Sequence, residues 1–379
     1  MASIRTQRAR VSNLTPQFPH LTLTTPFLQQ THRHRFQLQL RAPYTGESSN
    51  RTPSPNFSED VNPPPSTRPA EIETPAPLGP SASAGDKAKQ LLAYGRAYLA
   101  FYKTGVKNVY HNYRASLPIR RSLGIQSYIP KTPPPKAFLT TGRGNGTQLK
   151  TKTSRSTFQL VHRAAYDARR MVPFTFVLII CGEFTPLIVY ALGNSITPFT
   201  CRIPKQIEGH RKDLARNKSV ALKAHAQASD GTAIASAPNA GTEEELHLLS
   251  VFARTDFARG ASARDILTAC AAFGLVESSY SYEFLVEPLY RKRLARHAEY
   301  LAVDDKMIKS CGGVSAMESA EVRIAVQERG GAGLPTGSSA FEAEMVERRW
   351  LNMWLKKSQP ETALLEVGEI NLATSTGNE

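Results

Sequence analysis

Three stretches of the chain hold residues whose type and spacing could do chemistry. Asp304 and Asp305 are adjacent carboxylates, the pairing that lets one group give a proton and the other take one. Glu183 stands near the middle of "MVPFTFVLIICGEFTPLIVYAL", Met171 to Leu192, and is the one charged residue of that run. "RKRLARH" places Arg291, Lys292, Arg293 and Arg296 close together on one expected helix. Residues three and four apart share a helix face, so Lys292 and Arg296 align, as do Arg293 and Arg296. Such a patch can contact RNA phosphates, with binding that weakens steeply as salt rises.

Each stretch also has a plainer reading. The aspartates sit where a helix is expected to begin, so they fit capping and dipole compensation. The basic patch also fits a solvated helix face. Nothing else looks catalytic. "GRGNG" at 142–146 lacks the strand and helix that a phosphate loop needs. His162, His210, His247 and His297 are scattered on polar helices and are expected to be solvated. Cys181, Cys201, Cys270 and Cys311 have no C-x-x-C spacing, which suits free thiols in a reducing compartment. The expectation is a protein that is not an enzyme, with no catalytic residue, no metal and no cofactor.

The apolar run is long enough to cross a bilayer as a helix, since about 20 apolar residues span the hydrocarbon core. A carboxylate at that depth is costly, so Glu183 is expected to be protonated, paired or set on a water-filled path. Pro186 removes the amide that would bond the Gly182 carbonyl, leaving an acceptor beside Glu183. A neutral Glu183 serving helix packing and a Glu183 serving an ion or proton path both remain open. Pro173 marks the other junction, where the chain can bend. One span cannot enclose a path, so exchange would require oligomers or partners. Basic residues flank both ends of the run, so the positive-inside rule does not fix its orientation.

These groups must be held by helices. No strand-like alternation persists anywhere, and the fold class reads as all-α: a single transmembrane helix at 171–192 followed by a helical domain at 243–357. In that domain "SARDILTACAAFG" has a Ser-x-x-Asp start and a Gly stop, and Ser315/Glu318 form a capping-box pattern ahead of Gly330. Between them a helix opens at Pro288 and a shorter one at Asp304. "FEAEMVERRWLNMWLKK" closes the domain with Met345, Trp350, Leu351 and Trp354 as an apolar stripe. Upstream, 86–170 is a basic helical segment in which Asp86 can cap an aromatic helix suited to a membrane surface, a partner, or its own protein. Residues 193–242 read as a basic helix, with Pro204 at its first position, and a flexible linker.

Charge divides unevenly. Through residue 242 there are 32 Lys+Arg against 11 Asp+Glu, a balance of +21; from 243 onward, 15 against 21 give −6. The acidic balance of the tail argues against a simple nucleic-acid-binding module there. Residues 1–46 contain no Asp or Glu and six arginines, a pattern expected of a mitochondrial transit peptide, placed at 1–40. Residues 41–85 are rich in Pro, Ser and Thr and read as a disordered linker, and 358–379 as a disordered tail.

"LLAYGRAYLAFYKTGVKNVYHNYR", "FQLVHRAAYDARRMVPFTFVLIICGEFTPLIVYAL", "TPFTCRIPKQIE" and "YLAVDDKMIKSCGGV…ESAEVRIAVQERG…RRWLNMWL" occur in this order. Together they resemble the LETM family (leucine zipper/EF-hand transmembrane-like) of mitochondrial inner-membrane proteins, over roughly 86–357. The resemblance implies one inner-membrane span and a 14-3-3-like ribosome-binding domain in the matrix. It implies links to mitochondrial translation, to insertion of inner-membrane proteins, and to K+ or Ca2+ exchange against H+. No D-x-[DN]-x-[DN]-G loop is present, so this is a short form without an EF-hand. The expected function is binding of the mitochondrial ribosome in support of translation and insertion; the alternative is a component of mitochondrial K+/H+ exchange. The expected partners are the mitochondrial ribosome, inner-membrane lipid, and a second copy or other inner-membrane proteins.

Overall fold

A computed structural model describes residues 58–76, 78–79, 83–125, 131–139, 153–181, 197–230, 237–276, 283–335, 337 and 339–358. Among them the regular structure is entirely helical, and all belong to one compact unit, Pro53–Glu379. The first forty residues, where the transit peptide was placed, lie outside the described residues, as does the tail from 359.

Helix α1 (Ala84–Ser122) starts from Ser83, whose hydroxyl accepts the Asp86 amide at 3.2 Å while the Asp86 carboxylate reaches back. Asp86 is thus the third residue of a capping box, and Ser83 is the cap. The buried residues of α1, Phe101, Gly105, Val109, Asn112, Ser116 and Arg120, recur every three or four positions and form one face. That face begins only at Phe101. A side chain at Gly105 would meet Cys201 Sγ at 2.8 Å and the Thr200 carbonyl at 2.9 Å, so glycine permits the close approach there.

Helix α2 (Arg155–Cys181) packs along α1. Its interior side carries Phe158, Val161, Ala164 and Ala165 together with buried Arg155, Gln159, Arg163 and Asp167. The contacts set the two helices antiparallel. Asn112 of α1 and Arg163 of α2 meet the adjacent residues Ser66 and Thr67, whereas Gly105 and Asp167 both meet Thr200. The described part of the apolar run, Met171–Cys181, is therefore the far end of a helix rooted in the domain. The helix continues through Pro173, which is exposed, to Cys181. Residues 182–196, with Glu183 and Pro186, lie outside the described residues. Among the described residues no helix is long and apolar enough to cross a membrane.

Part of the expected linker belongs to the core. Val61 is fully buried in the main hydrophobic cluster, and Asn62 Nδ2 donates to the Ala316 carbonyl at 2.8 Å. Proline-rich composition hid this, because one buried valine and one capping asparagine leave no periodic signal. Helix α3 (Pro204–Asp230) begins at Pro204, as expected. It docks on the tail domain through buried Leu222 and through Lys218, whose ammonium lies 2.7 Å from Glu245 and donates to the Gly330 carbonyl at 3.0 Å.

Helices α4 (Glu243–Phe252), α5 (Thr255–Gly260) and α6 (Ala263–Ala272) follow. Ser262 caps α6, and Gly274 beyond it has φ +65°, as the Ser-x-x-Asp and Gly signals predict. A π-turn at Val286–Tyr290 leads into α7 (Arg291–Ser310), which runs unbroken past Asp304. The expected helix starts at Pro288 and Asp304 are therefore replaced by one start at Arg291. Helix α8 (Ser319–Glu328) has Glu318 at its N-cap position, so the Ser315/Glu318 box does not form. The cap comes from far away in sequence: the Asn62 side-chain oxygen accepts the Glu318 amide at 2.8 Å. Helix α9 (Ala340–Lys357) opens with a Ser339/Glu342 capping box and stacks Trp350 on Trp354, ring centroids 5.7 Å apart. Leu351 is buried with them, but Met345 is exposed and leaves the expected stripe.

Candidate functional site

Asp304 and Asp305 lie in the interior, at mid-helix, and serve neither as caps nor as an acid pair open to substrate. Asp304 Oδ1 accepts Arg155 Nε at 2.8 Å and Gln159 Nε2 at 2.7 Å, and its Oδ2 accepts Arg329 Nη2 at 2.8 Å. Asp305 accepts Arg329 Nε at 2.9 Å and Trp354 Nε1 at 3.0 Å. Beside them Arg163 grips Glu321 with two parallel bonds of 2.8 and 2.9 Å, and Arg68 lies 3.7 Å from the same carboxylate. Arg155 bridges the two groups, donating to Glu321 at 3.5 Å and to the Val61 carbonyl at 2.9 Å. This lattice ties the 58–68 segment and α2 to α7, α8 and α9.

Its electrostatics follow from the pairing. Burial alone would raise the carboxyl of Asp304, but Arg155 and Arg329 outweigh it and hold that group well below the usual carboxylate range. Glu321 is likewise held low by Arg163, Arg155 and Arg68 against its own desolvation. Adjacent lies an aromatic pocket around Tyr300, whose hydroxyl donates to Glu328 at 2.9 Å and accepts from Gln159 at 2.8 Å. His162 stacks on Tyr300 at 4.5 Å, and His297 Nε2 donates to the Glu328 carbonyl at 2.9 Å. Both histidines are half-buried rather than solvated, and burial pushes each down to about 4. Polar sequence neighbours concealed this, since a helix turns every fourth residue inward whatever lies between.

The four cations of "RKRLARH" divide. Arg291 is committed to structure: it pairs with Glu287 and donates to the carbonyls of Ala258, Arg259 and Ala261 at 3.0–3.1 Å, closing the end of α5. Arg293 donates to the Leu275 carbonyl at 2.7 Å just past α6, although its side chain reaches solvent. Lys292 and Arg296 are exposed, with no ion pair among the described residues. Down the same outer surface of α7 come Lys306 and Lys309, both exposed, which the sequence reading passed over. Helical spacing brings Lys306 into register with Lys292 and Arg296 on the side opposite buried Leu294, Leu301 and Ile308, with Lys309 on the flank of that side. Glu299, between them, lies 3.3 Å from Lys136. Arg169 of α2 is close enough to Arg296 to feel its repulsion. The exposed side of α7 is thus a cationic row about 25 Å long.

Among the described residues no cluster of His, Cys, Asp or Glu is arranged to hold a metal ion. Cys201 and Cys270 are buried, and desolvation pushes each thiol up to about 12, so both are unreactive. Glu183 and Pro186 lie outside the described residues, and Pro173 is exposed on α2.

No curated protein and no solved structure matches the chain. A family model described as "LETM1-like, RBD" matches residues 278–370, the stretch that holds α7, α8 and α9. The lattice carboxylates, Arg329 and the whole cationic row fall inside that match, so the likeness to the LETM family rests on this quarter of the chain.

Proposed function

We propose that this chain is a non-enzymatic protein of the mitochondrial inner membrane that binds the mitochondrial ribosome from the matrix side, supporting translation and insertion of inner-membrane proteins. The observation that carries the reading is the family match at 278–370, whose RBD denotes a ribosome-binding domain. The row of Lys292, Arg296, Lys306 and Lys309 supports it chemically. Exposed, unpaired cations along one helix suit the phosphates of ribosomal RNA, and the acidic remainder of the tail confines attraction to that row.

The membrane part rests on α2. Its end exposes Val172, Phe176, Ile179 and Ile180 to the surroundings, and the sequence continues apolar, apart from Glu183, to Leu192. Exposed apolar surface of this kind marks a contact with lipid or protein. The α2 root carries Arg155, Gln159 and Arg163 into the lattice, so the described start of the proposed anchor belongs to a helix fastened to the proposed ribosome-binding domain. Sedimentation of the detergent-solubilised full chain through sucrose with mitochondrial ribosomes tests the function. Co-migration that weakens with salt is expected; a protein that stays at the top of the gradient at low salt contradicts it. Alkaline carbonate extraction tests the anchor, which predicts recovery in the membrane pellet.

A further inference from the structure

The first half of α1 contributes nothing to the buried core. From Ala84 to Ala100 no residue is buried, although this half extends about 25 Å. It is not a polar helix. Leu91 is 74 % exposed, Leu92 57 % and Leu99 70 %, and Tyr98, Val106 and Tyr110 are exposed beside them. Leu92, Leu99 and Val106 recur every seven residues, which places them on one side of the helix.

The charges follow the same period. Lys89, Arg96 and Lys103 each stand three residues before one of those apolar positions and are exposed, with Lys107 following. Residues three apart are surface neighbours, so a line of cations runs along one edge of the apolar strip. The single acidic residue of α1 is Asp86, spent in the capping box with Ser83. Because α1 and α2 are antiparallel, this free half leaves the domain at the same end as Val172, Phe176, Ile179 and Ile180.

We infer that the face of α1 from Lys89 to Lys107 is an interfacial surface for anionic phospholipid, its leucines entering the acyl boundary and its lysines and arginine reaching phosphate headgroups. An amphipathic helix with a basic edge binds membranes in this way, and long cationic side chains lie along the apolar strip while their heads stay in the polar layer. A protein partner fits less well, because buried interface cores are depleted in lysine. The inference rests on the reading of the chain as membrane-bound and adds a second lipid contact to the end of α2.

The test uses the full chain reconstituted into vesicles of phosphatidylcholine and phosphatidylglycerol that contain brominated acyl chains, which quench tryptophan at short range. Leu92→Trp and Leu99→Trp report the α1 face, Ile179→Trp reports α2, and Val220→Trp, exposed on α3, is the solvent control. Trp350 and Trp354 are both buried and give a background measured in the unsubstituted chain. Emission at positions 92 and 99 is expected to fall about twofold, as for side chains at the acyl boundary, with no loss at 220. Omitting phosphatidylglycerol, or changing Lys89, Arg96 and Lys103 to Glu, is expected to abolish quenching at 92 and 99 but not at 179. Quenching at 179 without quenching at 92 or 99 overturns this inference and leaves the membrane reading standing; no quenching at any of the three overturns both. Blue-shifted but unquenched emission at 92 shows a face covered by protein, a second copy included, and overturns it as well. Quenching that persists without phosphatidylglycerol overturns the commitment to anionic lipid.

Discussion

Asp304 and Lys306 stand two residues apart on α7, yet they belong to regions that use charge in opposite ways. Inward, Asp304, Asp305 and Glu321 are fully or nearly buried and held by Arg155, Arg163 and Arg329. Outward, Lys292, Arg296, Lys306 and Lys309 face water. The inner carboxylates are saturated, each accepting two or more donors, and among the lattice side chains Arg155 Nη2 and Gln159 Oε1 are buried without a hydrogen-bond partner among the described residues. The outer cations are unspent, which is what a phosphate partner requires. Charged residues on one helix thus divide into a fastening and a binding surface by the direction in which they point. The fastening also ties α2 to the tail domain through Arg155 and Arg163.

The contrast is open to attack first at Arg329. Arg329→Ala leaves Asp304 and Asp305 buried without their shared partner, and the expected loss is about 3–5 kcal/mol. Urea unfolding of the full chain in mild detergent, followed by far-ultraviolet circular dichroism, reads it. A loss below about 1 kcal/mol, the range of exposed pairs, would place the lattice in water and erase the distinction between the regions.

Acid should affect the two regions differently. His162 and His297 are held neutral, their values lowered to about 4 by burial. The unfolded chain takes up protons below about 6.5 while the folded chain does not, so stability is full above 6.5 and is lost as pH falls toward 4, by on the order of 2 kcal/mol per histidine. Asp304 and Glu321, with lowered values, hold their contribution until pH falls below the ordinary carboxylate range and lose it there. Unfolding midpoints measured across this range should fall in two stages, and His162→Phe should flatten the first. Ribosome binding through the cationic row should respond to salt instead.

Asn62→Ala probes whether the upstream segment belongs to the inner region. It removes the cap on the Glu318 amide and the bond to the Ala316 carbonyl, and about 1–2 kcal/mol should be lost. Arg291→Ala against Lys292→Ala sharpens the division within one short basic run. The first frees three carbonyls and should cost about 1 kcal/mol, whereas the second should stay within about 0.5 kcal/mol. Equal effects in thermal unfolding would mean that Arg291 is no more structural than its neighbour.

The local grammar of the fold was legible. Ser262, Pro204, Gly274 and Gly330 mark the ends that the structure shows, because a cap or a left-handed glycine acts within a few residues of itself. What the chain hid was long-range. The Glu318 amide is capped by Asn62, some 250 residues away, and local spacing suggested Ser315 instead. Asp304 and Asp305 looked like a helix start because their partners, Arg155 and Arg329, are distant in sequence and carry no motif. The basic run was found, but four adjacent cations on a helix point in several directions. Lys306 and Lys309 extend the row from about three and four turns beyond Arg296, directly after the buried pair Asp304 and Asp305.

The central claim is that the outward cations of α7 bind and the inward charges only fasten. The most direct measurement is co-sedimentation of the full chain with mitochondrial ribosomes across a salt series, for the unsubstituted protein and for a variant with Lys292, Arg296, Lys306 and Lys309 all changed to Glu. The account predicts that the variant folds with a stability change of under about 1 kcal/mol, partitions with the membrane as before, and no longer sediments with ribosomes at any salt. Undiminished co-sedimentation of the folded variant, with the same salt dependence as the unsubstituted chain, would contradict it.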